Sequence, residues 1–231
     1  MKVPVAVAGI VLGFCLSPVA QAAADILIDN PSVRASLITY APGEPSGEHE
    51  HLDPRFVYVL SGGTLQSTAR GGSPQLTPMV TGGCMYAAPV RHALQNAGDT
   101  TLHLLEIEIK NAPWRSDNAL RTCNDVPPSD GAPSAHVERT VLYAESGLIV
   151  SRIVIPPGSR DRAGSIRGPR LVFVLEGGSL ASRLTNGSKA IATREAALWI
   201  DADAPLINQD AHSALTVLEI TPSGSVESGE R

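Results

Sequence analysis

The residues best suited to chemistry are two histidines, His49 and His51, which lie two positions apart. Side chains of an extended strand repeat every two residues, so both imidazoles are expected on one face. Imidazole suits Zn, Fe, Cu and Ni, whereas Mg and Ca prefer oxygen ligands. The pair therefore provides half of a transition-metal site, the alternative being two polar surface histidines. Glu48 and Glu50 alternate to the opposite face, where we expect them to be solvated.

The elements that position these histidines occur twice in the chain. At a constant offset of 115 residues, the turn Pro42-Gly43 coincides with Pro157-Gly158, Pro54-Arg55 with Pro169-Arg170, and Gly62-Gly63 with Gly177-Gly178. One unit runs from about residue 26 to 110 and the other from about 140 to 222. Internal repetition of this length predicts two copies of one structural unit.

Each unit has the pattern of short strands separated by Gly, Pro, Asn and Asp. The predicted strands cover residues 34–40, 55–60, 64–69, 83–87, 93–96 and 102–109 in the first copy, and 148–155, 170–175, 179–184, 196–200 and 214–220 in the second. No stretch has a helical period over ten or more residues. The fold class is therefore all-β, a sandwich or a closed barrel.

The segment between the copies is predicted to be a linker, residues 113–138, and the last nine residues, 223–231, a disordered tail. The linker is rich in proline, and we expect one short helical turn at residues 117–121. Trp114 is expected to pack against an apolar surface of a barrel. The two units then become domains at residues 25–112 and 139–222.

Residues 1–24 resemble a signal peptide. Lys2 is their only charged residue, an apolar stretch follows to about Leu16, and Ala20-Gln21-Ala22 has the small-x-small pattern of a cleavage site. The apolar part is too short to favour a membrane-spanning helix, although a retained N-terminal anchor is the alternative. The prediction is a periplasmic or secreted protein that starts near residues 23–25 and has no integral membrane association after removal of the signal.

Charge and composition exclude some partners. The chain has 231 residues, 43% of them hydrophobic and 18% charged, and a formal net charge of −5, which becomes −6 without Lys2. An acidic exported protein is a poor candidate for binding nucleic acid or an anionic membrane. Cys84 and Cys123 are the two cysteines beyond the signal, and an oxidising compartment would let them form a disulfide. Two unpaired thiols are the alternative, because sequence does not give the Cα separation.

Two motifs in the first copy resemble those of the cupin superfamily. Gly43, His49, His51 and the strand Tyr58-Val59-Leu60-Ser61-Gly62 are similar to the first cupin motif. Pro89, His92 and Asn96, spaced as PxxHxxxN, are similar to the second. With the duplication, the chain resembles a bicupin. The resemblance implies two jelly-roll β-barrels, each with a site in its mouth, and a catalytic metal held by His49, His51 and His92.

The sequence departs from the cupin pattern at Arg55, where the first motif usually has a glutamate. Three histidines without a carboxylate resemble some Fe(II) cupin dioxygenases. A guanidinium beside the metal could hold a substrate carboxylate with two hydrogen bonds. Alternatively Arg55 is structural and pairs with a carboxylate such as Glu106, because Arg170 takes its place in the second copy and could pair with Glu219.

The second copy lacks the three histidines. His49 corresponds to Gly164, His51 to Ile166 and His92 to about Pro205. It has gained arginines at positions 160, 162, 167 and 170, which form either an anion-binding mouth or a solvated loop balanced by acidic neighbours such as Asp161. The simplest interpretation is that this barrel is a structural partner of the first.

The sequence thus predicts an exported, metal-dependent cupin enzyme that acts on a small oxygenated or carboxylate-bearing molecule. Its best interpretation is a dioxygenase-like oxidoreductase with one divalent metal, Fe(II) first and Zn, Mn, Ni or Cu as alternatives. An isomerase, decarboxylase or lyase is compatible with the fold, and so is a binding protein without activity. No Gly-x-Ser-x-Gly elbow, phosphate-binding loop or dinucleotide motif occurs, and His103, His136 and His212 lack motif context. The oligomeric state stays open between a monomer and a homodimer.

Overall fold

The computed structural model describes residues 22–110, 112, 121–122, 135–145, 147–161 and 168–222. These residues form nineteen strands, and none of them is helical. The strands of the first half are β1 Ala23–Asp29, β2 Val33–Tyr40, β3 Pro45–His51, β4 Arg55–Ser61, β5 Gly63–Ala69, β6 Gln75–Met79, β7 Cys84–Ala87, β8 Val90–Asn96, β9 Leu102–Ile109 and β10 Arg121–Thr122. Those of the second half are β11 Glu138–Glu145, β12 Leu148–Ile155, β13 Arg160–Asp161, β14 Arg170–Gly177, β15 Leu180–Arg183, β16 Lys189–Ala192, β17 Ala197–Ile200, β18 Leu206–Asn208 and β19 Leu215–Pro222. In this described part, no helix long and apolar enough to cross a membrane is found.

The two halves have the same sheet topology. In the first half one sheet has the order β1-β2-β9-β4-β7-β10 and the other β3-β8-β5-β6. In the second half the orders are β11-β12-β19-β14-β17 and β13-β18-β15-β16. Each strand from β1 to β9 has its counterpart ten positions later, and all the pairings are antiparallel. This is the duplicated all-β jelly roll that the sequence predicts.

The described residues form three hydrophobic cores, of which one joins the two halves. One lies between the two sheets of the first barrel and includes Val57, Leu65 and Leu104. A second lies between the two sheets of the second barrel, and the third lies between the barrels, where Phe56 and Tyr86 contact Tyr143 with ring centroids 6.3 and 5.2 Å apart. The sheets that contain β4 and β14 are thus buried on both faces, which explains the unbroken apolar runs in these strands.

Alternation along the strands decides which residues face a barrel interior. In β9, Leu102 and Leu104 belong to the core of the first barrel, whereas Leu105 and Ile107 belong to the core between barrels. Because side chains alternate, Glu106 and Glu108 point toward the interior of the first barrel. By the same parity Arg55 in β4 points inward beside Val57. The strands therefore bring charged residues into an otherwise apolar barrel.

The paired glycines of the repeat mark a close approach between chain segments. A Cβ added to Gly62 would lie 2.5 Å from the carbonyl oxygen of Met79, and one added to Gly177 would lie 1.8 Å from that of Ala214. Gly177 also has φ of 85°, a conformation that other residues rarely adopt. Both copies therefore keep glycine where strand β4 or β14 ends because a side chain would collide with backbone there.

Some sequence predictions of local structure are wrong or incomplete. Arg121, predicted in a helical turn, begins β10, which pairs with Met85 and Tyr86 of β7. The predicted strands do not include β1, β6, β11, β13, β16 or β18. Strand β1 includes Ala23 and Ala24, the last two residues assigned to the signal. Residues 1–21, Trp114, residues 117–120, Cys123 and the tail 223–231 lie outside the described residues, so the expectations for them, and the domain boundaries, stay predictions.

Candidate metal centre

Strands β3 and β8 bring the predicted ligands together. They pair antiparallel, and His49 lies directly opposite His92. A bulge between Pro45 and Gly47, with φ of 73° at Gly47, sets this register. Without it β3 would shift by one residue, and its histidines would move to the outer face. The bulge glycine is therefore what aims His49 and His51 into the barrel.

The three imidazoles form a compact cluster. The ring centroids of His49 and His92 are 4.7 Å apart, those of His49 and His51 4.9 Å, and those of His51 and His92 5.3 Å. One ring nitrogen from each residue lies within 4.8 Å of the others. His51 and His92 are buried and His49 is half-buried, whereas Glu48 and Glu50 are exposed, as strand alternation predicts. The half-site of the sequence is thus completed by His92.

Hydrogen bonds fix which nitrogen of His49 and of His51 faces the cluster. Nδ1 of His51 lies 2.8 Å from Oε1 of Glu108, and Nδ1 of His49 lies 3.1 Å from the carbonyl oxygen of Gly47. Carboxylate and carbonyl oxygens only accept hydrogen bonds, so these Nδ1 atoms carry the protons of the neutral rings. The lone pairs are then on the Nε2 atoms, which lie 3.1 Å from each other.

The cluster has the donor set that a metal ion requires. Two Nε2 lone pairs at 3.1 Å repel each other unless a proton or a cation lies between or beside them. Nε2 of His92 is buried and has no hydrogen-bond partner among the described residues, which is costly for a polar atom. A transition-metal ion would satisfy all three nitrogens. The residues present therefore fit a metal held by His49, His51 and His92.

The electrostatics of the site favour neutral histidine beside an ionised carboxylate. Burial, and then the positive charge of Arg55, lowers the pKa of His92 to about 3. The hydrogen bond from His51 lowers the pKa of Glu108 below its ordinary value. At neutral pH the imidazole of His92 is therefore available as a metal ligand, and Glu108 is an anion that holds His51.

Glu108 is the functional residue that the sequence analysis missed. His51 also lies 3.7 Å from Glu106, and His51, Glu106 and Glu108 form a second group of metal-ligating side chains. The two carboxylates approach Nδ1, whereas Nε2 faces the other histidines, so they orient one ligand and do not form a separate site. The signal was present as two glutamates two residues apart in β9.

Arg55 makes the structural contacts that its counterpart makes. Its Nε lies 3.2 Å from Glu106 and its Nη1 donates to the carbonyl oxygen of Ala88 at 2.9 Å. Arg170 pairs with Glu219 at 2.8 Å and donates to three backbone carbonyls. The Arg–Glu pairs named from the repeat are thus present in both barrels. They do not decide whether Arg55 also contacts substrate.

A cavity of about 230 Å³ adjoins the histidine cluster inside the first barrel. Its polar residues are Arg55, Ser67, Thr77, His92 and Glu106. The rest of the lining is apolar: Val57, Leu65, Met79, Met85, Ala87, Ala88, Val90, Leu94 and Leu104. A mostly apolar cavity with a few convergent polar groups is the usual form of a small-molecule site.

The second barrel has ion pairs where the first barrel has the histidine cluster. Glu219 binds both Arg170 and Arg139, and Arg139 also binds Asp161 at 2.7 Å. Arg170, which the sequence places in a basic loop, is fully buried at the start of β14. For this residue both alternatives are therefore wrong, the anion-binding mouth and the solvated loop, because it belongs to the barrel interior. Arg160 is exposed, and positions 162, 164, 166 and 167 lie outside the described residues.

The register of β18 shifts one assignment of the repeat. Asn96 and Asn208 are both buried. The side-chain amide of Asn96 donates hydrogen bonds to the backbone carbonyls of Tyr40 and Thr100, and that of Asn208 to those of Ile155 and Ser213. They lie opposite Leu65 and Leu180, which are equivalent positions. The position of His92 therefore falls at Ala204, one residue before the predicted Pro205. An alanine there has no side chain that could bind a metal.

The remaining candidates lie apart from the cluster. His103 is half-buried in β9 on the face opposite Glu106, and His136 and His212 are exposed. Cys84 is disulfide-bonded, whereas Cys123 lies outside the described residues, so the pairing of the two stays a prediction. These positions agree with the sequence interpretation of the three histidines as outside the site.

Comparisons with known proteins agree with this architecture. Residues 36–108 match the cupin domain family Cupin_2. None of the curated protein sequences matches the chain. The structure of AerE from Microcystis aeruginosa is similar with a TM-score of 0.67 and 14% identity, over 90% of this chain and 94% of that one.

Two enzymes are also among the similar structures. A salicylate 1,2-dioxygenase from Pseudaminobacter salicylatoxidans has a TM-score of 0.57 and 14% identity, over 90% of this chain and 78% of that one. A variant oxalate decarboxylase from Bacillus subtilis has a TM-score of 0.54 and 11% identity, over 83% and 69%. At these identities the likeness shows the fold, and fold alone does not give the reaction.

Proposed function

We propose that this chain, whose residues 36–108 match the cupin domain family, is an exported metal-dependent enzyme. Its substrate would be a small oxygenated or carboxylate-bearing molecule. The observation that carries the proposal is the Nε2 cluster: two lone pairs 3.1 Å apart beside the buried, unpartnered Nε2 of His92. Three protein ligands leave coordination positions open, which distinguishes a catalytic from a structural site. The adjoining cavity gives a substrate access to those positions.

Within this class we favour a dioxygenase with Fe(II). Three imidazoles suit Fe, Zn, Ni and Cu, and Fe(II) with open positions is able to bind both dioxygen and an oxygen-bearing substrate. The salicylate 1,2-dioxygenase among the similar structures is compatible with this choice. Its low identity transfers no activity, so the reaction rests on the donor set and the cavity.

Each protein group has a distinct task in this proposal. His49, His51 and His92 would hold the metal, which when bound supplies Lewis-acid or redox chemistry. Glu108 holds the proton of His51 on Nδ1 and so keeps the Nε2 lone pair facing the site. Most of the cavity wall is apolar, and Arg55 with Glu106 places a charged pair in it.

Oxygen uptake tests the dioxygenase proposal. The protein without its signal would be reconstituted with Fe(II) anaerobically and mixed with oxygenated buffer and a panel of small hydroxy-aromatic acids and diketones. We expect substrate-dependent oxygen consumption that is lost in His92→Ala, while Glu48→Gln, exposed on the outer face of β3, consumes oxygen at the wild-type rate. Full metal occupancy without turnover of any kind would favour the binding-protein alternative.

Export is part of the proposal and rests on the sequence of residues 1–24 together with the disulfide at Cys84. Disulfides persist in oxidising compartments and are rare in the cytosol. Expression of the full chain in a bacterium, followed by fractionation and intact mass, tests it. We expect a periplasmic or secreted protein that begins between Ala23 and Asp25. A cytosolic product that retains Met1 or Lys2 would overturn the export proposal without affecting the metal site.

A further inference from the structure

Ser46 is the inserted residue of the bulge in β3. Its neighbours Pro45 and Gly47 lie opposite two consecutive residues of β8, Gln95 and Leu94. An inserted residue locally disrupts the ladder of backbone hydrogen bonds. The side chain of Ser46 is nevertheless buried, with 9% exposure. A buried hydroxyl at this place has to be explained by the groups that it binds.

The hydroxyl of Ser46 takes the place of a backbone acceptor in the ladder. The backbone N–H of Leu94 donates to Ser46 Oγ at 3.0 Å, and Ser46 Oγ–H donates to the carbonyl oxygen of Gly47 at 2.8 Å. The same carbonyl oxygen lies 3.1 Å from Nδ1 of His49. A carbonyl oxygen has two lone pairs and can accept both hydrogen bonds. The Gly47 carbonyl is therefore held between the Ser46 hydroxyl and the imidazole of His49.

The direction of the Ser46 hydroxyl decides the tautomer of His49. Ser46 Oγ also lies 3.2 Å from His49 Nδ1. If the hydroxyl donated to Nδ1, the ring proton would be on Nε2, where it would block the lone pair that faces the cluster. Donation along the shorter contact, to the Gly47 carbonyl, keeps Nδ1 a donor and leaves the Nε2 lone pair available to a metal.

Tyr40 fixes that direction. It is 2% exposed in β2, its phenol is hydrogen-bonded to Ser46, and burial raises the pKa of the phenol to about 12. The phenol therefore keeps its proton at neutral pH and can donate it to Ser46 Oγ. A hydroxyl has one hydrogen and two lone pairs. With Tyr40 and the N–H of Leu94 on the lone pairs, the hydrogen of Ser46 is left for the Gly47 carbonyl.

The second barrel does not repeat this chain of hydrogen bonds. At the offset of 115 residues, Asp161 stands in place of Ser46 and Ile155 in place of Tyr40. The described strand β13 pairs with β18 without a bulge, and Asp161 binds Arg139 at 2.7 Å. An ionised carboxylate only accepts hydrogen bonds, and isoleucine has no hydroxyl. The bulge, the serine and the tyrosine thus occur together, in the barrel that has the histidine cluster.

We propose that Ser46 is the positioning residue of His49 and that Tyr40 anchors it. Through the Gly47 carbonyl, Ser46 holds the ring proton of His49 on Nδ1 and aims Nε2 at the metal. This inference rests on the proposed metal centre and deepens it, because it names the residues that prepare one of the three ligands. His49 is the ligand that most needs such support, since it is half-buried and the other two are buried.

Nuclear magnetic resonance of the protein with ¹⁵N-labelled histidine rings tests the inference. In zinc-loaded Ser46→Ala, the Nδ1–H of His49 should exchange with water about three- to tenfold faster than in the parent, the equivalent of one neutral hydrogen bond. The Nδ1–H of His51, which Glu108 holds, should keep its parent rate. Equal acceleration at both histidines would mean that Ser46 only sets the register of β3, and it overturns the inference. An unchanged rate at His49 overturns it as well.

Zinc affinity in competition with a chelator supplies a second readout with a matched control. Ser46→Ala should bind zinc about three- to tenfold more weakly than the parent. Ser182→Ala should keep the parent affinity, because Ser182, 6% exposed in the second barrel, donates to the carbonyl oxygen of Pro205 at 2.9 Å and lies away from the site. Equal losses in the two serine variants overturn the inference.

Tyr40→Phe removes only the phenol hydroxyl and leaves the bulge as it is. It should accelerate the exchange of the same His49 proton and leave that of His51 unchanged. Because this variant keeps Ser46, it decides the matter even where Ser46→Ala fails to fold. The parent rate at His49 in Tyr40→Phe would overturn the anchored chain of hydrogen bonds.

Zinc content, measured in the same samples, separates this inference from the proposed function. One zinc per parent chain together with the selective change at His49 supports both. One zinc without the selective change overturns the role of Ser46 alone. No zinc in the parent overturns the metal centre, and the exchange of the His49 proton in the metal-free protein then supports or overturns the chain of hydrogen bonds by itself.

Discussion

Replacing Glu108 with glutamine should weaken divalent metal binding without removing any ligand. Oε1 of Glu108 accepts a hydrogen bond from His51 Nδ1–H at 2.8 Å, and the Glu108 side chain is 21% exposed. Glutamine can keep a hydrogen bond at this position, but it removes the negative charge that makes the bond strong. Hydrogen bonds to charged groups contribute about 1.5–3 kcal/mol, against about 0.5–1.5 kcal/mol for neutral ones.

The difference between the two kinds of bond gives the expected magnitude. That difference is about 1–1.5 kcal/mol and corresponds to an affinity roughly tenfold weaker. It lies at the low end of the range of about 10- to 100-fold that is typical of residues that orient a metal-ligating histidine. Competition with a chromophoric zinc chelator at about pH 7.5 measures it. At that pH the carboxylate is ionised in the parent protein, because its pKa is lowered by the hydrogen bond from His51.

Glu48→Gln is the matched control for this measurement. Glu48 lies one residue before His49 in β3, but it is exposed and pairs with Arg91 outside the barrel. Glu48→Gln removes the same charge close to the ligands but outside the barrel, so it should leave zinc affinity within about threefold of the parent, the scale of a surface ion pair. The reasoning fails if Glu108→Gln has parent affinity, or if both variants lose affinity equally.

Three further predictions concern stability. Arg170→Met should lower the free energy of unfolding by about 3–5 kcal/mol in urea, because the buried Glu219 loses a partner and three carbonyls lose their donor; a loss below about 1 kcal/mol would contradict it. Asn96→Ala should cost about 3 kcal/mol, since its side chain bridges Tyr40, Gly98 and Thr100, and parent stability would refute the bridging role. Metal-free protein should lose stability as the pH falls from 6.5 toward 3, by at most about 1.4 kcal/mol per pH unit. In this range His92 of the unfolded chain, with an ordinary pKa of 6.5, takes up a proton, whereas His92 of the folded chain, with a pKa of about 3, does not. His92→Gln should flatten that slope, and an unchanged slope would assign it to other groups.

The sequence predicts those features of the site that lie within a short stretch or repeat along the chain. His49 and His51 share a strand face, and His92 enters through a motif that follows them in order. The Arg55–Glu106 pair was one of two open alternatives, and it was named because the repeat supplied the matching Arg170 and Glu219. The information came from a local period for His49 and His51, from the resemblance to a cupin motif for His92, and from the internal copy for the Arg–Glu pair.

The features that escaped prediction depend on how the sheets stack. Glu108 belongs to β9 in the six-stranded sheet, whereas His51 belongs to β3 in the facing sheet, so no spacing along the chain relates them. Strand β6 was missed because most of its residues are exposed and it contains Pro78, which weakens the strand pattern.

The central claim is that His49, His51 and His92 hold one transition-metal ion, and metal stoichiometry tests it most directly. The chain without residues 1–22 would be purified untagged, loaded anaerobically with Fe(II) or Zn, desalted and analysed by inductively coupled plasma mass spectrometry. We predict one ion per chain, and none in His49→Ala/His51→Ala that retains the thermal transition of the parent. An ion content near zero in the parent, or an equal content in the double variant, would contradict the account.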